Sequence, residues 1–120
     1  MLDVPLLIGG QSLPARDGRT FERRNPVTGE VVSRVAAATL EDADAAVAAA
    51  QAAFPAWAAL APNERRSRLL KAAEQLQARG AEFIAAAGET GAMANWYGFN
   101  VRLAANMLRE AASMTTQING

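Results

Sequence analysis

Few residues of this 120-residue chain could do chemistry, because the sequence contains no histidine and no cysteine. Their absence excludes Ser-His-Asp and Cys-His catalysis within the chain, and it also excludes disulfides and metal sites built on histidine or thiolate. Aspartate and glutamate are left as candidate acids and bases, but no close pair of them stands out as a catalytic dyad. We therefore predict that this chain contains no catalytic residue.

The charged residues that do cluster fit structural roles better than catalytic ones. One acidic group consists of Glu41, Asp42 and Asp44. It follows Thr39, a suitable N-cap, and negative charge in a first helical turn complements the helix dipole. One basic group consists of Arg65, Arg66, Arg68 and Lys71. We interpret this group as the solvated face of an amphipathic helix rather than as a phosphate clamp.

The most informative cluster is the aromatic run Trp96, Tyr97 and Phe99. Helical spacing places Trp96, Phe99 and Leu103 on one side of the helix, where they could together form one wall of an apolar slot. Tyr97 points to another side. The alternative is that Trp96 fills the core. Helical periodicity alone favours this alternative, because apolar stripes on helices usually mean packing.

The composition limits both the fold and the partners. Alanine accounts for 29 of the 120 residues, and its single methyl group contributes little buried apolar surface. Such a core needs close helix packing or apolar surface from elsewhere, so we expect that the chain is not a self-sufficient domain. Twelve basic and twelve acidic side chains leave no net charge, which argues against a nucleic-acid partner. No run resembles a membrane span or a signal peptide, so we expect a cytoplasmic location.

The chain divides into a strand region over residues 1–38 and a helical region over residues 39–120. Strands are predicted at residues 6–8, 21–24 and 30–35. The turn over residues 25–30 joins the last two strands, since Pro26 has a preset φ and Gly29 can adopt a positive φ. We therefore predict an α/β fold, with a short hairpin or meander followed by three to four helices.

Prolines, glycines and apolar periodicity delimit the helices. The first helix has the apolar stripe Ala43, Val47, Ala50 and Phe54. Pro55 is predicted to end it, and Pro62 suits the first position of the second helix. The predicted buried face of that second helix is Leu69, Ala73 and Leu76. Gly80 and Gly91 are predicted breaks. The last helix has a long apolar stripe: Met93, Trp96, Asn100, Leu103, Met107, Ala111, Met114 and Ile118.

Several segments, taken in order, resemble the aldehyde dehydrogenase superfamily. They are Leu7-Ile8-Gly9-Gly10, Phe21, Asn25-Pro26-Val27-Thr28-Gly29-Glu30-Val31, residues 40–47 with Ala53-Phe54 and Trp57, Glu64-Arg65 with the following helix, and Glu89-Thr90-Gly91. Together they cover nearly the whole chain. The aromatic start Trp96-Tyr97-Gly98-Phe99, followed by residues 107–112, is similar to members that oxidise aromatic aldehydes such as salicylaldehyde and vanillin. One departure follows Glu89-Thr90: many members have Gly-Lys-Pro there, whereas here Ala92-Met93 follow Gly91.

The resemblance implies that residues 1–120 are the N-terminal part of the family's NAD(P)-binding, Rossmann-like domain, about the first quarter of a family enzyme. In the family, a cysteine thiolate attacks the aldehyde, hydride passes to NAD(P)+, and a glutamate activates the water that releases the carboxylic acid. An asparagine contributes to the oxyanion hole. These residues and the glycine-rich cofactor loop follow residue 120 in the family order. The resemblance thus implies that the parent protein is the enzyme, and that this chain has no catalytic or cofactor-binding residue.

Within this chain, the resemblance makes Trp96, Phe99 and Leu103 the expected substrate-binding residues, forming one wall of the substrate tunnel. Some relatives bind a structural monovalent cation near the hairpin, but an arginine stands at the matching position, so no metal is expected. The expected partners are a small aldehyde and further copies of the protein, in a homodimer or homotetramer. The alternative is a non-enzymatic, alanine-rich helical bundle that serves as a scaffold or oligomerisation module. The hairpin discriminates between the two, because a bundle does not need it.

Overall fold

The computed structural model describes residues 2–117, which form five strands, four α-helices and one 3-10 turn. The strands are β1 Leu2–Val4, β2 Leu6–Ile8, β3 Gln11–Leu13, β4 Thr20–Arg24 and β5 Val31–Ala36. The helices are α1 Leu40–Ala58, α2 Pro62–Ala78, α3 Gly80–Ala87 and α4 Ala94–Met114, with the 3-10 turn at Gly88–Thr90. The predicted mixed α/β class, with strands first and helices after them, is confirmed. The chain forms two compact units that divide between Ala58 and Ala59.

The first unit contains a three-stranded sheet in the order β1-β5-β4, in which β1 is parallel and β4 antiparallel to β5. The predicted hairpin is confirmed as the β4–β5 pair. Its turn is held by the Asn25 side chain, whose Oδ1 accepts hydrogen bonds from the backbone N–H groups of Val27 at 2.8 Å and Thr28 at 3.2 Å. Gly29 has a φ of 75°, the left-handed value that the turn requires of a glycine.

A second, separate hairpin pairs β2 with β3 around Gly9 and Gly10. Both glycines have positive φ, 58° and 80°, as a tight two-residue hairpin turn requires. Residues 6–8 were predicted as a strand, but β1 and β3 were not. Each has only three residues, and every residue of β3 is exposed, so neither shows the apolar alternation by which a strand is recognised.

The start of α1 is capped as predicted, and the cap also fixes a distant loop. The Thr39 hydroxyl accepts a hydrogen bond from the Asp42 backbone N–H at 3.2 Å, and the Asp42 carboxylate accepts the Thr39 backbone N–H at 2.9 Å. The same carboxylate accepts the backbone N–H of Arg16 at 3.1 Å. These N–H groups, first that of Thr39 and then that of Arg16, lower the pKa of Asp42 below its ordinary value. Asp42 thus ties α1 to the segment between β3 and β4.

The prediction that Pro55 ends the first helix is wrong, because α1 continues through Pro55 to Ala58. A proline φ is compatible with helical geometry, so its effect is limited to one missing hydrogen bond and some crowding of the preceding turn. The predicted apolar stripe is present, but it is exposed within this chain, with Val47 66% and Phe54 65% accessible. The inner side of α1 instead presents Asp42 and smaller residues, among them Ala45 and Ala49.

The second unit is built on the packing of α2 against α4. The predicted face of α2 is confirmed, with Ala73 fully buried and Leu69 and Leu76 half-buried. On α4 the fully buried residues are Ala105 and Ala112. Alanines at the closest positions let the two helix backbones approach each other, as an alanine-rich core requires.

The long stripe predicted on α4 is not the side that packs inside this unit. Its residues Met93, Leu103, Met107 and Met114 are between 43% and 73% exposed. Ile118, the last member of the predicted stripe, lies outside the described residues. The second unit therefore presents a row of large apolar side chains on its surface. None of the helices within residues 2–117 combines the length and apolar character that crossing a bilayer requires.

Candidate functional site

The three predicted substrate-binding residues lie on the exposed side of the first half of α4. Trp96 is 57% exposed, Phe99 46% and Leu103 43%. The rings of Trp96 and Phe99 stack, with centroids 5.8 Å apart and planes inclined by 27°. Leu103 follows one helical turn after Phe99 on the same side. Trp96 therefore does not fill the core of its unit, and its indole ring is free to contact something else.

Local backbone geometry sets where Trp96 stands. Gly91, at a φ of 74°, reverses the chain after the 3-10 turn, and Met93 is the N-cap of α4. The Trp96 backbone N–H donates to the Met93 carbonyl at 3.1 Å. The Asn100 side chain donates to the Trp96 carbonyl at 2.8 Å. Trp96 thus belongs to a regular first turn, in which both its backbone N–H and its carbonyl are hydrogen-bonded.

Tyr97 lies on a different side of α4 from Trp96, as helix geometry predicts. Its ring lines an apolar cavity of about 290 Å³ inside the second unit, together with Leu76, Phe83, Ala87, Asn100, Val101 and Ala104. Its hydroxyl is hydrogen-bonded to the Thr90 hydroxyl, and the Thr90 hydroxyl donates to the Ala87 carbonyl at 3.1 Å. This pair could not be predicted from the sequence, because no spacing rule relates a threonine and a tyrosine across a glycine turn.

The surface around Trp96 is apolar and extends along α4. Met93, 73% exposed, and Met107, 64% exposed, extend the apolar surface along α4 on either side of the aromatic pair. Within the described part of the chain, no three carboxylate side chains come together in a way that could hold a metal ion. The exposed rings therefore offer a flat surface on which a planar molecule can stack.

The first unit contains a larger cavity, of about 470 Å³, between its sheet and the segment after β3. Its charged lining residues are Asp3, Arg19 and Arg34. Arg19 is already paired with Asp17, at 2.6 Å from Nε to Oδ2, and the lining is otherwise largely apolar or backbone. The cavity was not predicted, because it depends on the unpredicted strands β1 and β3. Its residues do not form an acid–base or metal-binding arrangement.

Comparison with known proteins relates nearly the entire chain to one family. A sequence model described as the aldehyde dehydrogenase family matches residues 13–120. Vanillin dehydrogenase from Pseudomonas fluorescens is 94% identical over 120 residues, which cover all of this chain and 25% of that protein. This chain spans about a quarter of the length of the curated relatives that it matches.

Solved structures give the same relationship. The crystal structure of a salicylaldehyde dehydrogenase from Pseudomonas putida G7, complexed with salicylaldehyde, superposes with a TM-score of 0.94 at 42% identity. The matched region is 98% of this chain and 24% of that one. PnpE in complex with nicotinamide adenine dinucleotide superposes with a TM-score of 0.91 at 35% identity, over 98% of this chain and 24% of PnpE. The arrangement of strands and helices described above is thus the one found in these proteins.

Proposed function

We propose a function that starts from one premise: this chain belongs to the aldehyde dehydrogenase family. The whole protein oxidises an aromatic aldehyde, of the vanillin or salicylaldehyde type, to the carboxylic acid. NAD(P)+ accepts the hydride. The observation that carries this proposal is the 94% identity, over all of this chain, to vanillin dehydrogenase.

The geometry of α4 supports the aromatic part of the proposal. The exposed, stacked rings of Trp96 and Phe99 offer a flat apolar surface, and Leu103 extends it by one turn. The ring of an aromatic aldehyde can stack on this surface and cover it, whereas a short aliphatic aldehyde has no ring with which to do so. In this proposal the three residues form one wall of the substrate tunnel and orient the ring of the substrate.

The chemical step depends on residues that this chain does not contain. The chain has no cysteine, so the thiolate that adds to the aldehyde carbon belongs to another part of the protein. The same holds for the glutamate that activates water and for the asparagine of the oxyanion hole. Residues 1–120 are then the N-terminal part of the NAD(P)-binding domain, and they contribute shape and selectivity rather than proton or hydride transfer.

Assembly and location are part of the same proposal. We expect a homodimer or homotetramer in the cytoplasm, and the exposed apolar side chains of α1 and α4, such as Phe54 and Met107, then become covered within the complete protein. Size-exclusion chromatography with light scattering of the full-length protein measures this assembly directly. A monomer would contradict the expectation of an oligomer without affecting the proposed reaction.

The test of the reaction is an activity assay on the purified full-length protein. NADH or NADPH formation is followed with vanillin, salicylaldehyde and propanal, each with NAD+ and with NADP+. We expect turnover of both aromatic aldehydes with at least one of the nucleotides, and a kcat/KM for propanal that is lower by about tenfold or more. No turnover of any aldehyde would contradict the proposed function, and preference for propanal would contradict its aromatic part.

The scaffold alternative has lost its main support. The hairpin that a helical bundle does not need is present as β4 and β5. The apolar stripe on α4 is exposed, so it does not form the core of a helical bundle within the second unit. Membership of the aldehyde dehydrogenase family is a separate observation that favours the enzyme.

A further inference from the structure

We infer that Tyr97 and Thr90 are positioning residues for Trp96. Their hydroxyl–hydroxyl hydrogen bond fixes the first turn of α4, so that the Trp96–Phe99 pair presents its rings to the substrate in one orientation. This inference rests on the proposed function. It adds to the wall two residues that do not themselves touch the aldehyde.

The polarity of the bond follows from proton counting. The Thr90 hydroxyl has a single hydrogen, and it donates this hydrogen to the Ala87 carbonyl at 3.1 Å. Thr90 can therefore only accept from Tyr97, whose phenol hydrogen completes the bond between the two hydroxyls. The result is a continuous chain of hydrogen bonds from Tyr97 on α4 through Thr90 to the carbonyl of Ala87, the last residue of α3.

This chain of bonds matters because the start of α4, although its backbone hydrogen bonds are regular, has no side-chain cap. The preceding segment contains a 3-10 turn and Gly91 in the left-handed region, so no regular helix leads directly into α4. The N-cap residue Met93 has no side-chain capping bond, and the first turn has no acidic residue to complement the helix dipole. The phenol of Tyr97 therefore supplies the anchor that a cap residue would otherwise supply.

Tyr97 follows Trp96 directly, so the two side chains share the same helical turn but lie on different sides. Tyr97 lines the apolar cavity together with Phe83 and Val101, while the Trp96 ring is exposed beside Phe99. Rotation of the first turn about the helix axis would move both rings together. A tether on the Tyr97 side thus fixes the direction of the indole on the other side.

The experiment measures kcat/KM for vanillin and for propanal in the full-length protein and in single and double variants. Tyr97→Phe removes the hydroxyl and keeps the ring that lines the cavity, whereas Thr90→Val removes the other hydroxyl. We expect each to lower the vanillin-to-propanal ratio by about three- to tenfold, mainly through KM, which is the range of one neutral hydrogen bond. The double variant should be no worse than either single one, because both changes break the same chain of bonds.

Conservative and matched controls separate positioning from general destabilisation. Thr90→Ser keeps the hydroxyl and should keep the wild-type ratio. Ser67→Ala removes a comparable hydroxyl, one that donates to the Asn63 carbonyl at 3.0 Å within α2, and should also leave the ratio unchanged. In a Trp96→Ala background, Tyr97→Phe should have no further effect on the ratio, because the residue on which it acts is gone.

The outcomes distinguish this inference from the proposed function. If Trp96→Ala lowers the ratio but Tyr97→Phe leaves it intact, the inference is wrong and the wall stands. Equal losses on vanillin and propanal in Tyr97→Phe, or a Tyr97→Phe effect that persists in the Trp96→Ala background, would also overturn it. If the wild-type protein oxidises no aldehyde, the proposed function fails, and the inference fails with it.

Discussion

The indole ring of Trp96 stacks on the ring of Phe99, three residues later on α4, and both rings are about half exposed. Stacked aromatic pairs add about 0.5–1.5 kcal/mol beyond the burial of their area, so each ring restrains the orientation of the other. A restrained indole is a better surface for a flat ligand than a freely rotating one, because less conformational entropy is lost on binding. The pair is therefore the unit on which the proposed substrate selectivity rests.

Replacing Phe99 tests whether its stacking on Trp96 contributes to the proposed substrate selectivity. Phe99→Leu removes the stacking partner and keeps most of the apolar volume. We expect kcat/KM for vanillin to fall about two- to tenfold, with propanal little affected, because the indole loses its restraint but not its apolar surroundings. Steady-state kinetics on the two substrates measure this. An unchanged vanillin constant would show that Phe99 contributes nothing to the wall.

The alanine contact between α2 and α4 is expected to tolerate no larger side chain. Ala105 is fully buried there, so Ala105→Leu should lower the free energy of unfolding by about 1–3 kcal/mol through overpacking. The matched control is Ala111→Leu, the same change at an exposed position of the same helix. Thermal unfolding of the full-length variants gives the comparison. Equal midpoints for the two variants would contradict the close helix packing described here.

The helices themselves were predictable, but in two of them the side that packs within the chain was not. Pro62, Gly80 and Gly91 mark the breaks correctly, since their backbone preferences act locally. The apolar stripes of α1 and α4 were predicted from helical spacing and contain the large side chains, such as Phe54 and Met107, yet the packed positions carry alanine, such as Ala49 and Ala105. In an alanine-rich helix every side is apolar to some degree, so periodicity does not say which side faces inward.

The side of α4 that carries Trp96 and Phe99 could be predicted from the sequence, but the contacts that hold it in place could not. Helical spacing correctly places Trp96 and Phe99 on one side of α4. The bond from Tyr97 to Thr90 joins two residues on either side of Gly91, and no spacing rule says that their hydroxyls meet across this turn. Local rules therefore find a surface, whereas the contacts that hold the surface in place require the fold.

The turn between β4 and β5 should be sensitive to one glycine. Gly29 has a φ of 75°, and a side chain in the left-handed region costs about 1–2 kcal/mol. Gly29→Ala should lower the unfolding free energy by that amount. Gly88→Ala is the control, because Gly88 has a φ of −53° and open space around its missing Cβ, so it should be neutral or slightly stabilising. Denaturant titration of both variants measures the difference, and a reversed order would contradict the assigned turn.

Asp42 predicts a specific dependence of stability on pH. Hydrogen bonds from the backbone N–H groups of Thr39 and Arg16 lower its pKa in the folded protein. A carboxyl group of this kind stabilises the folded state above its ordinary pKa of about 4, and the contribution is lost as the pH falls through the lowered value. Asp42→Asn should therefore lower Tm at pH 7, and its gap from the wild-type protein should shrink below about pH 4.

The control for this pH dependence is Asp44→Asn, two residues later on the exposed side of the same helix. It removes a charge from the same helical region without breaking the bond to Arg16. We expect little change in Tm at any pH. Tm is followed by scanning calorimetry between pH 3 and pH 8, and a gap for Asp42→Asn that widens toward low pH would contradict the assigned hydrogen bonds.

The ratio of kcat/KM for vanillin to kcat/KM for propanal, compared between the full-length wild-type protein and Trp96→Ala, tests the proposed aromatic wall most directly. The wall predicts that Trp96→Ala lowers the ratio by about tenfold or more, equivalent to about 1.4 kcal/mol of transition-state binding. Most of this loss should fall on vanillin. Equal losses on the two aldehydes would show that Trp96 only supports the packing of α4 and does not contact the substrate.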